Sequence, residues 1–376
     1  MQRSVLTFFA IFTSLVMHGP ATTQPQPTQI QTSAGSGQAA AMAESASAFL
    51  ATLTSGQRAK IAHRFEDYAT RMNWIIWPPP SDYEGLLVAA LTAPQRIAFH
   101  EMLMATMSSQ GYSKSAAIMW LDDILRAEEG GTLASADPPS RAEAVPERSP
   151  PGRSSANYRI VMFGEPGSPR WGWMLNGHHL AANFTVVDGA VAFTPLFVGA
   201  SPQVVRAGPY AGWQVLGHEM TRAFALARSL TDQQRQVAII SSAPATNEFF
   251  TGRGRKEQLK RMVGLPASQL SAQQQQWLWG LVREFVESAG DEAAEAQLQS
   301  IQRDGLAQLH FAWWGSTADP AQRFMYRIHG PSILIEYVRQ GQGSRAVNHV
   351  HAIVRDPRND YGEDWLGKHY REQPHP

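Results

Sequence analysis

The sequence predicts an α+β protein in which an N-terminal helical region packs on a mainly antiparallel sheet with helical insertions. Three observations predict it. Helix-periodic segments opened by capping boxes fill the first third and the middle of the chain. β-Branched and aromatic runs gather at residues 158–198 and 309–355. The two kinds come in blocks rather than in strict alternation.

At 376 residues the length admits one large domain or two ordinary ones, and 43% hydrophobic residues supply a sizeable core. Lys and Arg number 32 against 32 Asp and Glu, a balance that excludes a protein built to displace counterions from nucleic acid. With no cysteine, a disulfide scaffold, a thiolate metal site and a cysteine nucleophile are excluded as well.

Residues 1–22 have the form of a secretory signal peptide. Arg3 supplies the basic end, and the apolar run from Val5 to Met17 is too short to span a bilayer. No other segment is long and apolar enough to do so, so the mature protein is expected to be exported, secreted or periplasmic, with no membrane span. Residues 23–46, rich in Gln, Thr, Ser, Ala and Pro, are expected to form a flexible leader. The remainder, 47–376, divides into a helical part (47–130), a Pro/Ser/Gly-rich loop (131–156) and a sheet-containing part (157–376).

In the helical part, Ile61, Phe65 and Tyr68 recur at helical spacing before three prolines, Pro78 to Pro80, forbid a helix. Thr92-Ala93-Pro94-Gln95 is a capping box with proline in the first turn. It opens a helix that Gly111 is expected to end. A partner helix follows to Glu129, with Ala117, Trp120, Leu121, Ile124 and Leu125 on its apolar face.

In the sheet part, strands are expected at Tyr158–Phe163, at Trp171–Val187 (as one strand or two), and at Ala190–Val198 after an Asp188-Gly189 hairpin turn. Helices follow over Trp213–Ser229, from the capping box at Thr231, over Ala272–Ser288 and over Asp291–Arg303. Four strands, Leu309–Trp314, Phe324–Ile328, Ile333–Val338 and His349–Arg355, precede a last short helix near Glu363–Tyr370.

Histidine placement carries most of the chemical information. Two pairs stand out, His178-His179 and His349-Val350-His351. Side chains alternate along a strand, so His349 and His351 share a face with Ile353 and Arg355, and two imidazoles one pleat apart can chelate one ion. His179 or His178 is the natural third ligand. His179 is expected to share a strand face with Asn183, and His178 to share one with Leu180, Phe184 and Val186. The expected cofactor is one divalent metal (zinc, iron or copper), with His179, His349 and His351 as ligands and Glu336, His178 and Arg355 as catalytic candidates. Packed core histidines bonded to backbone carbonyls are the competing explanation.

Glu336 is a lone acid inside Ile333-Leu334-Ile335-Glu336-Tyr337, costly to bury unless paired or metal-bound, and is expected to be a fourth metal ligand or a general base; otherwise it faces solvent beside Arg339. Asp356 and Asp360 either orient the histidines or cap the last helix. Glu219, beside His218 at the start of a helix, favours the helix dipole. Trp171, Trp173, Trp313 and Trp314 form either a stacking floor for a substrate or core. Nucleophile-elbow, phosphate-loop, His-Glu-x-x-His and dinucleotide-binding motifs are absent.

Several segments together resemble the family called domain of unknown function 3500. They are Trp171-Gly172-Trp173-Met174-Leu175-Asn176-Gly177-His178-His179, Thr194-Pro195-Leu196-Phe197-Val198-Gly199-Ala200, Phe311-Ala312-Trp313-Trp314-Gly315, Tyr326-Arg327-Ile328-His329-Gly330-Pro331, Leu334-Ile335-Glu336-Tyr337, Asn348-His349-Val350-His351 and Arg355-Asp356-Pro357. The likeness runs from about Trp77 to His369. It implies an exported single domain, in bacteria and some fungi, and no established activity. The chain departs from the pattern in a polar, more basic stretch, Gln340 to Arg345, and in a longer loop over Gly130–Ala156.

Two functions fit these residues. One is an exported metal-dependent enzyme, hydrolytic rather than oxidative because Lewis acidity needs no redox partner. The other is an extracytoplasmic protein that binds a ligand or metal without turnover. The substrate, small molecule or polymer, is not specified by the residues.

Overall fold

Side chains alternate across each strand, and here both faces of the sheet are covered, so the strands are buried nearly end to end. The structure, a computed structural model, describes residues 36–80, 82–128, 153–244, 251–254, 261–340 and 348–372. All of these belong to one compact unit. The expected signal segment, the first part of the leader, the loop through residue 152 and the polar stretch at 341–347 lie outside the described residues.

The first part of the chain holds α1 (Ser36–Thr52), α2 (Ser55–Ile61), β1 (Ala62–His63), α3 (Tyr68–Arg71), β2 (Leu86–Leu87), α4 (Ala93–Thr106) and α5 (Ser109–Glu128). Next come β3 (Arg159–Phe163), β4 (Arg170–Gly177), β5 (Leu180–Val187), β6 (Ala190–Ala192) and β7 (Leu196–Ala200). The middle contains α6 (Gly217–Ser229), α7 (Asp232–Ala238), β8 (Ile239–Ser241), β9 (Leu265–Pro266), α8 (Ala272–Val286) and α9 (Asp291–Asp304). The chain closes with β10 (His310–Gly315), β11 (Phe324–Gly330), β12 (Ile333–Gln340), β13 (His349–Arg355) and α10 (Glu363–Glu372).

One sheet runs in the order β1-β3-β4-β5-β7-β13-β12-β11-β10-β8, with β2, β6 and β9 as short additions. It is antiparallel except where β1 meets β3 and β8 meets β10. The predicted α+β class is the observed one. The seam at the centre joins two distant meanders, β3–β7 and β10–β13, through β7 and β13, with His351 opposite Gly199.

One face carries the larger core. Trp173, Leu175, Phe184, Trp313, Tyr326 and Tyr337 pack there against Phe49, Phe99, Leu278 and Phe285 from the helices. Trp171 belongs to the same core, and Trp314 packs at the edge of the smaller one, so these tryptophans are packing residues. On the opposite face Val161, Met174, Phe197, Val338 and Ile353 lie under Phe65, Trp74, Tyr361 and Leu366. His351 and Glu336 project to this second face, as the register with Ile353 and Val338 requires.

Several expectations need correction. The leader does not extend to residue 46, because α1 begins at Ser36 and buries Met42, Ala46 and Phe49 against α4. The first predicted helix ends at Ile61, since Ala62–His63 is a strand, Phe65 lies in a turn and Tyr68 opens α3. Gly111 lies inside α5, and the break falls at Met107-Ser108. A Cβ at Gly111 would sit 1.8 Å from the Ser288 carbonyl oxygen, so this glycine permits a close approach of backbones. On α5 the buried stripe is Ile118, Leu121, Asp122 and Leu125, while Trp120 is exposed.

Glu219 does more than face the helix dipole. It pairs with Lys114 Nζ at 2.6 Å, and Lys114 also reaches Glu284 at 2.8 Å, which ties α5 to α6 and α8. Burial raises the Glu219 carboxyl pKa, and Lys114 opposes that shift.

His329, between His310 and Leu334 on the neighbouring strands, is buried, and its Nδ1 makes no hydrogen bond among the described residues. Burial, then Arg327 and His310, push its pKa down to about 4. The unfolded chain therefore takes up a proton near pH 6.5 that the fold refuses until about pH 4. This group's contribution is full above the unfolded value and is lost as pH falls through that window. His329→Gln is expected to flatten the fall in urea midpoint between pH 7 and pH 4.5, and an unchanged slope would refute the assignment.

Candidate metal centre

The sequence Gly177-His178-His179-Leu180 reads as continuous strand, but Gly177 pairs directly with Leu180. His178 and His179 are therefore the two residues of a tight hairpin turn, not strand residues facing Leu180 and Asn183. His179 has φ 64°, a left-handed conformation that costs a non-glycine residue roughly 1–3 kcal/mol. The surroundings hold it there. Its N–H donates to the Ile76 carbonyl at 3.3 Å, and its carbonyl accepts from Gly199 N at 2.7 Å. Asn176, fully buried, accepts from Ile75 N and Tyr83 OH and donates to the Ile75 and Leu180 carbonyls, which fastens the hairpin end to the segment at Trp74–Ile76.

The turn delivers His179 to the start of β13. His179 Nε2 lies 2.8 Å from His349 Nε2, which in turn lies 2.8 Å from His351 Nε2. The three rings are mutually inclined by 56°, 62° and 89°, and one nitrogen from each lies within 4.8 Å of the others. A neutral imidazole nitrogen is either donor or acceptor along one in-plane direction. His349 Nε2 thus has two nitrogen neighbours and one direction in which to satisfy them. A single cation between the rings serves all three. Zinc–nitrogen bonds of about 2.0–2.1 Å at tetrahedral angles put the nitrogens about 3.3 Å apart, an opening of about 0.5 Å.

Gly199 makes the cluster sterically feasible. A Cβ there would meet His351 Cδ2 at 2.9 Å and His179 Cδ2 at 3.0 Å. His179 and His351 are buried and His349 is half-buried, so the cluster reaches solvent on the His349 side. Burial, reinforced by the neighbouring histidines, holds the His179 and His351 pKa values far below the usual imidazole value. Burial, then His178 and Arg153, push His349 down to about 4. All three rings are accordingly neutral at physiological pH, the protonation state a metal ligand needs.

A second group, Asp122, His178 and His179, adjoins the first. Its geometry is different. His178 stacks on His179 with ring centroids 3.6 Å apart and planes at 30°, so the two sets of lone pairs run side by side and do not meet. His178 Nδ1 lies 2.5 Å from Asp122 Oδ1, and Tyr158 OH, with one proton to give, lies within hydrogen-bond distance of both Asp122 Oδ2 and the His178 carbonyl. Burial raises the Asp122 pKa, against the lowering effect of His178 and Tyr158. With Nδ1–H given to the carboxylate, His178 keeps Nε2 as its basic nitrogen.

The other expected site residues lie elsewhere. Glu336 is fully buried, but its Oε1 accepts from Arg327 Nε at 2.9 Å and its Oε2 from Thr251 N and Oγ1 at 3.1 and 2.7 Å. Arg327 is the cross-strand partner of Glu336, so the acid is explained by an ion pair and is not part of either histidine group. Arg355 bonds Asp360 Oδ2 at 2.7 Å and the Thr251 carbonyl at 2.7 Å, away from the imidazoles. Asp356 accepts from Arg358 N and Asn359 N, and Asp360 from Asp356 N, while Asn359 caps α10. Burial raises the Asp356 pKa to about 6. These acids organise the C-terminal turn and do not contact the histidines. Asp122, Gly199 and Asn176 are site residues that histidine spacing alone does not reveal. An aspartate on the apolar stripe of α5, one turn from Ile118 and Leu125, was the available signal for the first.

A family model of proteins of unknown function (DUF3500) matches residues 36–363, from the first residue of α1 to the start of α10. The chain belongs to this family. No curated protein and no solved structure matches it. The family match begins well before Trp77, so the N-terminal helices are part of the DUF3500 unit. Buried His and Asp groups that can hold a metal ion therefore stand at the central seam of a DUF3500 fold.

Gly199→Ala is expected to force His179 and His351 apart, its Cβ also meeting the Val350 carbonyl oxygen of the paired strand at 3.0 Å. The test is metal uptake against thermal unfolding. Loss of at least about tenfold in metal affinity with a small change in melting temperature is expected, and unchanged affinity would show that the rings do not need this cradle.

Proposed function

We propose that the protein is an exported metal-dependent enzyme, with hydrolysis its reaction class. The convergence of three neutral imidazoles from two distant parts of the chain carries the proposal. Three protein ligands with one side toward solvent is the arrangement that catalytic zinc sites use, whereas structural sites close the shell with a fourth ligand. Among the described residues no fourth His, Cys, Asp or Glu joins His179, His349 and His351.

A divalent ion in that position would supply Lewis acidity toward a water or a carbonyl oxygen. The chain's own residues do the rest. His179, pinned by its backbone at Ile76 and Gly199, would hold the ion together with His349 and His351. His178, oriented by Asp122 and Tyr158 and stacked on His179, would be the candidate general base beside the ligand set, with Nε2 as the nitrogen left to hold a proton. Phe197, edge-on to His351 at 5.1 Å, and Trp74 stacked on Phe197 keep water from the far side.

The deciding experiment is elemental analysis of protein purified without added metal. The native protein is expected to carry about one zinc, iron or copper per chain. His349→Ala/His351→Ala is expected to carry none. Equal metal content in the two would end the metal reading. Metal retained with no turnover on ester, amide and phosphoester panels would leave a metal-binding protein in place of an enzyme.

Export is tested separately by N-terminal sequencing of protein recovered from medium or periplasm. A mature start close to residue 22 is expected, whereas an intact Met1 in the cytoplasm would refute export.

A further inference from the structure

On the helix-covered face of the sheet one buried charge has no counterpart. Arg339, near the end of β12, is 7% exposed. Strand alternation sets it on the face of Ile335 and Tyr337, away from the histidines. Its cross-strand neighbours are Phe324 on β11 and Val350 on β13, both apolar and buried. Its one hydrogen bond runs from Nη1 to the Met220 thioether sulfur at 3.6 Å, a weak acceptor. Nε is buried and makes none, and among the described residues no carboxylate pairs with this guanidinium. Arg327 and Arg355, as deeply buried on the opposite face, hold Glu336 and Asp360 respectively. A guanidinium keeps its proton at any ordinary pH, so burying one without a counter-charge is strongly unfavourable.

The unmet donors have a definite shape. Nε–H and Nη2–H of a guanidinium point the same way, while Nη1 lies on the other side. With Nη1 on Met220, Nε and Nη2 are the pair without a bond. That side-on fork accepts two oxygens of a single carboxylate or phosphate. The surroundings have the matching sign. Met220 lies in the first turn of α6, and Tyr337 OH donates to the carbonyl of Leu216, the N-cap, at 3.4 Å, so β12 passes the start of that helix. Leu216 supplies no side-chain cap, which leaves the positive end of α6 to an outside anion. Glu219, the acid of that turn, is taken up by Lys114 at 2.6 Å. Arg206, exposed on the loop before α6, adds a second positive charge, and Asp319 acts on Arg339 with the opposite sign. Asp319 stays beyond pairing distance, and its Oδ1 accepts from Ala321 N at 2.8 Å.

We propose that Arg339 anchors a binding site for a small oxyanion, held side-on by Nε and Nη2 beside the first turn of α6. The site is independent of the metal reading, because it lies on the other face of the sheet from the histidines.

The test is thermal unfolding of the full chain in chloride, phosphate and acetate at matched ionic strength, with Arg339→Met and Arg339→Lys in parallel. The native protein is expected to melt about 2 °C or more higher in phosphate or acetate than in chloride. The anion giving the larger rise tells a tetrahedral oxyanion from a planar one. Arg339→Met puts an apolar chain in place of the unpaired charge, so it should melt in chloride no lower than the native protein. It should keep only the general salt effect on burial, which both proteins share. Arg339→Lys retains the charge without the fork and should lose most of the specific rise. His349→Ala/His351→Ala should keep that rise in full. Equal rises in the native protein and Arg339→Met would overturn the proposal, as would a rise that disappears with the histidines. So would Arg339→Met melting well below the native protein in chloride, since the guanidinium would then be satisfied within the chain itself.

Discussion

At the middle of the sheet a strand from one meander lies against a strand from another, and a residue with no side chain, Gly199, faces His351 across the join. That missing Cβ lets two imidazoles occupy the space beside a strand that a methyl group would otherwise claim. His179 arrives from a turn whose backbone is anchored on both sides, and His349 arrives because it precedes His351 by one pleat. Close packing of strands, a backbone-pinned turn and alternation along β13 together determine where the nitrogens point. None of these depends on the imidazoles attracting one another.

The two faces divide the labour. The larger core supplies most of the apolar burial and reaches the site through Tyr158 and through Asp122 of α5, which hold His178. The second face has less apolar contact and is laced with buried polar links, from Arg327–Glu336 through Thr251 to Arg355–Asp360. Each member of that chain satisfies the next, which is the condition under which charges can be buried without a large penalty. The histidine cluster lies on this face, with Phe197 edge-on to His351 and Trp74 stacked on Phe197.

Much of this was legible from residues alone where the cause is local. The capping boxes at Thr92 and Thr231 open α4 and α7, the Asp188-Gly189 turn joins β5 to β6, and alternation placed His349 and His351 on one face. What was hidden depends on partners far away in sequence. The stretch at 36–46 looked like leader because it has few large apolar residues, but its alanines and serines form a helix once Met42 and Phe49 find α4. The His178-His179 turn carries none of the Asn-Gly or Asp-Gly chemistry that usually marks a two-residue hairpin, because its left-handed residue is stabilised by Ile76 and Gly199 rather than by its own type. Glu336 was recognisable as an acid in need of a cation, but the sequence does not say that the cation is Arg327 across the strand.

The separation of His179 from His349, 170 positions along the chain, has a further effect. An unfolded polypeptide holds these rings too far apart to share an ion, so an ion that binds them adds its binding energy to the folded state alone. Availability of that ion in the surroundings would then set how long the folded molecule persists against proteases, in addition to any reaction it performs.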